Sequence, residues 1–176
     1  MESYLPVVYL SILLVLLCGT AWFIFRQVLK TRTVETALTR LQNKLKNEKG
    51  TAQEYYELGS IYLDKKLFGQ SIVILQKALK ESESEDKENL ALIYNGLGFA
   101  YFAQEQYDLA IRNYKEALKL QPDYVTGLNN LGHAYERKKL TAQALQVYEE
   151  ALKREPNNQT AKRRAESLRK RFVASA

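Results

Sequence analysis

The chain has 176 residues, a net charge of +6, one cysteine and one histidine. A single cysteine, Cys18, excludes an intrachain disulfide and fits a reducing compartment. The excess positive charge lies in two stretches: residues 26–50 hold seven basic and two acidic residues, and residues 159–176 hold six and one. Residues 91–158 carry eight of each sign, which argues against a polyanion-binding surface there.

The N-terminal segment is apolar. Residues 3–25 contain no charged side chain. At about 1.5 Å per residue, residues 5–25 would span roughly 31 Å, the thickness of a bilayer's hydrocarbon core. We therefore predict a transmembrane anchor over residues 1–25. The alternative is a cleaved signal peptide, but no basic residue precedes the apolar run and no small-residue cleavage site ends it.

Basic residues follow this span, and their placement predicts its orientation. They are Arg26, Lys30, Arg32, Arg40, Lys44 and Lys46. The excess keeps the following residues on the cytoplasmic or equivalent side of the membrane. We predict one basic juxtamembrane helix over residues 26–50, ended by Gly50 in the left-handed conformation. Its apolar stripe comprises Val34, Leu38, Leu41 and Leu45. We expect this stripe to pack onto the next domain, with a dimeric coiled coil as the alternative.

A pattern then recurs at an offset of 34 residues. One copy consists of Tyr94, Leu97, Gly98, Tyr101, Ala110, Tyr114, Ala117 and Pro122. The next consists of Leu128, Leu131, Gly132, Tyr135, Ala144, Tyr148, Ala151 and Pro156. All eight slots match in residue class, so each copy predicts a pair of helices, A and B, whose apolar faces meet.

A degenerate copy precedes these two. It consists of Tyr55, Leu58, Gly59, Tyr62, Ser71, Leu75 and Ala78, with Glu83 where proline is expected. Gly59 and Gly98 are 39 residues apart, so five residues are added between the copies. We assign them to an acidic insertion at residues 86–90, a solvated linker. The alternative is a phosphorylation switch at Ser82 or Ser84.

The slots have physical roles. A glycine inside a helix costs about 1 kcal/mol relative to alanine, so Gly98 predicts a close approach of two helix backbones, with Ala110 and Ala117 on the other side. Pro122 ends helix B because its ring cannot continue a helix. Asp123 is then a candidate cap for the following helix.

The period and the slots resemble the tetratricopeptide repeat, abbreviated TPR. The sequence thus predicts an all-α TPR solenoid with three helix-turn-helix repeats, a C-terminal capping helix and an N-terminal transmembrane helix. The repeats cover residues 52–85, 91–124 and 125–158, and a basic capping helix and tail cover residues 159–176. Such stacks bind partners on a surface rather than catalyse reactions in a pocket.

The resemblance implies a concave groove lined by the A helices. On this chain its positions are Tyr56, Ser60, Leu63, Asn95, Phe99, Phe102, Asn129, His133 and Glu136. In TPR modules that clamp chaperone tails, basic residues and asparagines fill matching slots. Here Tyr56, Ser60, Thr126 and Asn130 stand in those slots, which argues against such a ligand. Phe99 and Phe102 favour an apolar or amphipathic partner segment instead.

The sequence offers little for catalysis. His133 shares a helix face with Asn129 and Glu136, but no nucleophile, metal-ligand set or phosphate-binding loop accompanies it. We expect no catalytic residue, metal, cofactor or small-molecule substrate. The basic C-terminal stretch lacks an aromatic stacking platform, so we expect no nucleic-acid partner.

The order of segments resembles that of the small thylakoid-anchored TPR factors of plastids and cyanobacteria that assist photosystem I assembly. This resemblance implies a membrane-tethered scaffold that binds subunits or assembly factors of photosystem I. Two alternatives stay open: a receptor for the targeting segments of client proteins, and an RNA-associated membrane regulator that uses the basic tail.

Overall fold

The computed structural model describes residues 4–82 and 86–174, so Glu83 and Ser84 lie outside the described residues. Every regular element in that part of the chain is an α-helix. The helices are α1 (Leu5–Asn47), α2 (Ala52–Asp64), α3 (Phe68–Glu81), α4 (Lys87–Ala103), α5 (Tyr107–Leu120), α6 (Val125–Arg137), α7 (Thr141–Arg154) and α8 (Gln159–Ala174). They form two units, residues 1–48 and residues 49–176.

Helix α1 is continuous across the predicted boundary between anchor and juxtamembrane helix. Its 43 residues, about 64 Å at the usual rise per residue, are long and apolar enough in their first half to cross a membrane. No residue near position 25 breaks the helix, so it continues past the apolar segment. The predicted stop was wrong: the helix ends at Asn47 with Glu48 extended, and no described glycine has a positive φ.

Helices α2 to α7 form three successive hairpins. The A and B helices of each repeat are the pairs α2 and α3, α4 and α5, and α6 and α7, and each hairpin packs on the next. Helix α8 packs on α7. The predicted all-α solenoid of three hairpins and a terminal helix is therefore confirmed.

The predicted acidic insertion at residues 86–90 was wrong. Helix α4 begins at Lys87, and the Asp86 carboxylate accepts a hydrogen bond from the Asn89 backbone N–H at 3.2 Å. The residues after Asp86 thus lengthen α4 at its N-terminus. Aspartate is a favoured helix cap, which explains why the helix starts here.

Side chains cap other helices as well. Thr51 and Glu54 form a reciprocal capping box at the start of α2. The Asn158 side-chain oxygen accepts a hydrogen bond from Ala161 N–H at the start of α8. Asp123 does not cap α6, as the sequence suggested, because Tyr124 takes the cap position and makes no side-chain cap bond.

The turn inside each hairpin has the same strained geometry. Lys66, Glu105 and Lys139 have φ values of 60°, 60° and 59°. The residue after each one donates its N–H to a tyrosine carbonyl six positions back in the turn motif, at 2.8 to 2.9 Å. The three hairpins therefore share one turn, although non-glycine residues are costly in the left-handed region.

The close contact at the repeat glycines is made with a side chain. A Cβ built on Gly98 would lie 2.5 Å from the Tyr114 ring, and one on Gly132 would lie 2.6 Å from the Tyr148 ring. Both rings are fully buried, at 1% and 0% exposure. The predicted approach of two helix backbones was therefore wrong, since each glycine makes room for a tyrosine of the same hairpin.

The other repeat-packing residues lie mostly in the core. The buried ones are Leu58, Gly59, Tyr62, Leu97, Ala110, Ala117, Leu131, Tyr135, Ala144 and Ala151, while Tyr101 is half-buried. Pro122 and Pro156 are exposed, so they do not pack as expected. They lie just beyond the ends of α5 and α7, where a proline ring meets water rather than a neighbouring helix.

The degenerate first repeat keeps the same plan with different atoms. Leu75 meets Gly59 where the other repeats have tyrosine. Ser71 replaces the helix-B alanine, and its buried hydroxyl donates a 2.8 Å hydrogen bond to the Gly59 carbonyl. That bond satisfies the only polar side chain among the fully buried residues described.

We predict that Gly98→Ala lowers the stability of the chain by about 1 to 3 kcal/mol, because the Tyr114 ring cannot move out of its buried position. Gly69→Ala in α3 is the matched control. A Cβ there would meet nothing closer than 3.8 Å, so this change should be neutral or stabilising. Thermal unfolding of the full chain in detergent, followed by circular dichroism, measures both. Equal melting temperatures for the two variants would contradict the steric account.

Candidate protein-binding surface

The middle A helix presents an aromatic face, which we call the α4 face: Asn95, Phe99 and Phe102, with the neighbouring rings of Phe68 and Tyr107. Asn95, Phe99 and Phe102 follow i, i+4, i+7 spacing on α4. The Phe99 ring is 43% exposed and stands edge-on to Phe68 of the preceding repeat at 6.4 Å. The Phe102 ring stands edge-on to Tyr107 at 5.5 Å. Two aromatic pairs thus lie side by side on a partly exposed surface.

An amide pair joins the second and third repeats beside these rings. The Asn130 side-chain N–H donates to the side-chain oxygen of Asn95 at 2.9 Å. Asn130 occupies one slot that carries a basic residue in chaperone-tail clamps, and here it bonds to another asparagine. The pair is partly buried and neutral, so it can accept or donate hydrogen bonds but cannot neutralise a carboxylate.

The predicted groove residues of the first repeat lie on α2. Tyr56, Ser60 and Leu63 are all half-buried. A Leu63 methyl group lies 3.6 Å from the position of a Cβ built on Gly96, so this leucine packs toward α4. Burial, followed by the neighbouring Tyr56, raises the pKa of Tyr124, which places these two rings near each other.

The three groove residues predicted on α6 bond to other parts of the C-terminal end. Asn129 donates to the side chain of Asn158, just before α8, at 3.2 Å. Glu136 accepts the Tyr148 hydroxyl at 2.7 Å and lies 3.6 Å from the Arg164 guanidinium of α8. His133 stands edge-on to the Tyr148 ring at 5.9 Å. This part of the predicted groove therefore holds the terminal helix.

The contact between α6 and α8 leaves polar atoms without partners. Asn129 Oδ1, His133 Nε2 and Arg164 Nε are buried and make no hydrogen bond to any described residue. Burial, followed by Arg164, lowers the pKa of His133, while Glu136 opposes the shift. A buried polar atom without a partner costs about 1 to 3 kcal/mol, so the docking of α8 is a compromise between packing and polarity.

Sequence reasoning missed two members of the α4 face. Phe68 and Tyr107 occupy the same slot at the start of helix B in the first two repeats, each just after the strained turn. Their shared slot was a usable signal once the added residues between the copies were allowed for. Arg137 was also missed, and its guanidinium lies 5.2 Å from the Tyr107 ring centre and 3.6 Å from Glu105.

Family profiles match the chain in three places. A tetratricopeptide-repeat profile matches residues 52–85, a TPR-repeat profile residues 98–139, and a tetratricopeptide-repeat profile residues 125–158. The ycf37 protein of Guillardia theta is 40% identical over 128 residues, which cover 73% of this chain and 72% of that protein. The chain belongs to the ycf37 family of tetratricopeptide-repeat proteins.

Other relatives agree with this assignment. The ycf37 protein of Cyanophora paradoxa is 39% identical over 71% of this chain and 72% of its own length. The chloroplastic PYG7 protein of Arabidopsis thaliana is 37% identical over 97% of this chain and 56% of its own length. The resemblance drawn from the repeat pattern and the order of segments is thereby confirmed.

Solved structures share the fold. MamA matches with a TM-score of 0.73 and 23% identity, over 82% of this chain and 83% of its own. The first TPR of RPAP3, bound to an HSP90 peptide, matches with a TM-score of 0.64 and 19% identity, over 72% and 96%. At these identities the likeness extends to the helical stack alone.

We predict that His133 makes stability depend on pH. Its lowered pKa means that the unfolded chain takes up a proton more readily, so its contribution is complete above the ordinary pKa of 6.5 and is lost as the pH falls toward the lower folded value. In thermal unfolding between pH 8 and pH 5, the wild type should lose stability relative to His133→Gln, which shares the carboxylate titrations. A constant difference between the two proteins across this range would contradict the prediction.

Proposed function

We propose that the protein is a membrane-anchored scaffold that assists the assembly or stability of photosystem I. In this proposal α1 crosses the thylakoid membrane, and the repeats lie on the stromal or cytoplasmic side. Membership of the ycf37 family, a chloroplastic relative and a helix long enough to span a bilayer support the location. The basic residues that follow the apolar segment support the orientation.

The observation that carries the proposal is the α4 face. Repeat proteins of this family bind other proteins, and an exposed aromatic surface on the central repeat is the kind of patch that protein partners cover. Phe99 is the only aromatic residue of the described repeats that is more than a third exposed. A client segment that covered it would remove apolar surface from water and so gain affinity.

The anchor adds to this weak surface. A scaffold and a membrane subunit that share one bilayer meet in two dimensions, which raises their effective concentration. A groove of modest affinity can then hold a subunit until its neighbours join. Among the described residues no group of three or more His, Cys, Asp or Glu side chains could bind a metal ion, and the proposal requires none.

The proposal is tested by replacing the gene in its host with variants and measuring accumulated photosystem I relative to photosystem II. We expect Phe99→Arg to lower photosystem I several-fold, because a charged side chain replaces the exposed ring. Val73→Arg is the matched control: Val73 is 53% exposed on α3, away from the α4 face, and should tolerate the charge. A chain lacking residues 1–25 should also fail to support accumulation.

Immunoblots must show that each variant is present at the wild-type level. Normal photosystem I in cells that carry Phe99→Arg would count against the α4 face as the working surface. Normal photosystem I in cells without the protein would rule out the proposed function.

A further inference from the structure

The centre of the α4 face is uncharged. From Asn89 to Ala103 helix α4 contains no charged side chain. The flanking A helices differ, since α2 carries Glu57 and Asp64 and α6 carries Glu136 and Arg137. A charged residue of a partner placed over α4 would lose hydration and find no opposite charge. The client segment at this position must therefore be uncharged.

The amide pair beside the rings has two atoms to spare. Asn130 Nδ2 donates to Asn95 Oδ1, which leaves Asn95 Nδ2 as a donor and Asn130 Oδ1 as an acceptor. Neither spare atom has a hydrogen bond to a described residue, and neither is sealed from solvent. One donor and one acceptor together complement the C=O and N–H groups of a peptide backbone.

This complement distinguishes between two shapes of partner. The backbone groups within a helix are already bonded to one another, so a helical partner could not use the spare amide atoms. An extended segment has free backbone groups and can bond to both. The amide pair therefore favours an extended backbone over a helix.

The spacing along α4 agrees with this choice. Asn95 and Phe99 are separated by four residues, a rise of about 6 Å. In an extended chain, side chains on one side recur every second residue, about 6.6 Å apart. A backbone bonded at the amide pair would thus bring an apolar side chain to the Phe68 and Phe99 rings. Phe102 and Tyr107 lie one turn further along the helix.

We infer that the α4 face binds an extended, uncharged client segment with an apolar side chain at every second position. Asn95 and Asn130 bond to one peptide unit of its backbone, and the two aromatic pairs hold its apolar side chains. This inference rests on the scaffold function proposed above and names the chemistry of the segment that the scaffold holds.

The test uses the full chain in lipid nanodiscs and fluorescence anisotropy with three labelled probe peptides. The first alternates phenylalanine and serine, the second is the same peptide methylated at its central backbone nitrogens, and the third is a lactam-stapled helix with the same composition. We expect methylation to weaken binding about tenfold through the lost backbone hydrogen bond. The stapled helix should bind at least tenfold more weakly than the first peptide.

Variants link the effect to the amide pair. In Asn95→Ala and Asn130→Ala the methylated and unmethylated peptides should bind equally, because the bond that methylation removes is already absent. Phe99→Arg should weaken all extended probes, and Val73→Arg should leave them unchanged. Circular dichroism confirms that each variant is folded, and the comparison of two peptides on one variant is independent of small stability losses.

Three results would overturn the inference: no binding of the alternating peptide, equal or tighter binding of the stapled helix, or a methylation effect that persists in both asparagine variants. These results are distinguishable from failure of the proposed function. If Phe99→Arg lowered photosystem I while the peptides behaved in one of these ways, the scaffold function would stand and the extended segment would not. If the peptides behaved as expected but photosystem I were normal, only the scaffold function would fail.

Discussion

The contact between a glycine of helix A and a tyrosine of helix B determines how each of the last two hairpins is built. Tyr114 lies against Gly98 and Tyr148 against Gly132, with no room for even one more carbon atom. This contact fixes which side of α4 faces its partner helix. Since Gly98 and Leu97 face inward, Asn95, Phe99 and Phe102 are carried to another side of the same helix. The packing of the hairpin and the exposure of the α4 face are therefore two results of one constraint.

The two ends of the repeat stack have different characters. On α4 the outward residues are aromatic or neutral, and the Phe99 ring remains partly in water. On α6 the equivalent residues are polar, and Glu136 meets Arg164 of the terminal helix. Helix α8 buries mainly small side chains, Ala161 and Ala165. The terminal helix thus ends the stack through a polar contact, which leaves the central repeat as the apolar surface of the A helices.

Much of this fold was predictable from spacing. A period of 34 residues with Gly98 and Gly132 at equal positions specifies hairpins, because only repeated units bury such faces. The partner of those glycines was not predictable, since helical periodicity gives a face but not which side chain fills it. The role of His133 was missed for a similar reason: its slot belongs to the groove in any internal repeat, and only the terminal helix makes it part of an interface. Asp86 lengthened a helix rather than a loop because a single cap outweighed an acidic stretch.

The central claim is that clients touch the protein at the outward side of α4. The most direct measurement places a photo-crosslinking amino acid at position 99 in one strain and at position 73 in another, followed by irradiation of intact membranes and identification of the crosslinked proteins. The account predicts photosystem I subunits crosslinked from position 99 and none from position 73. Crosslinks to the same proteins from both positions, or from position 73 alone, would contradict it.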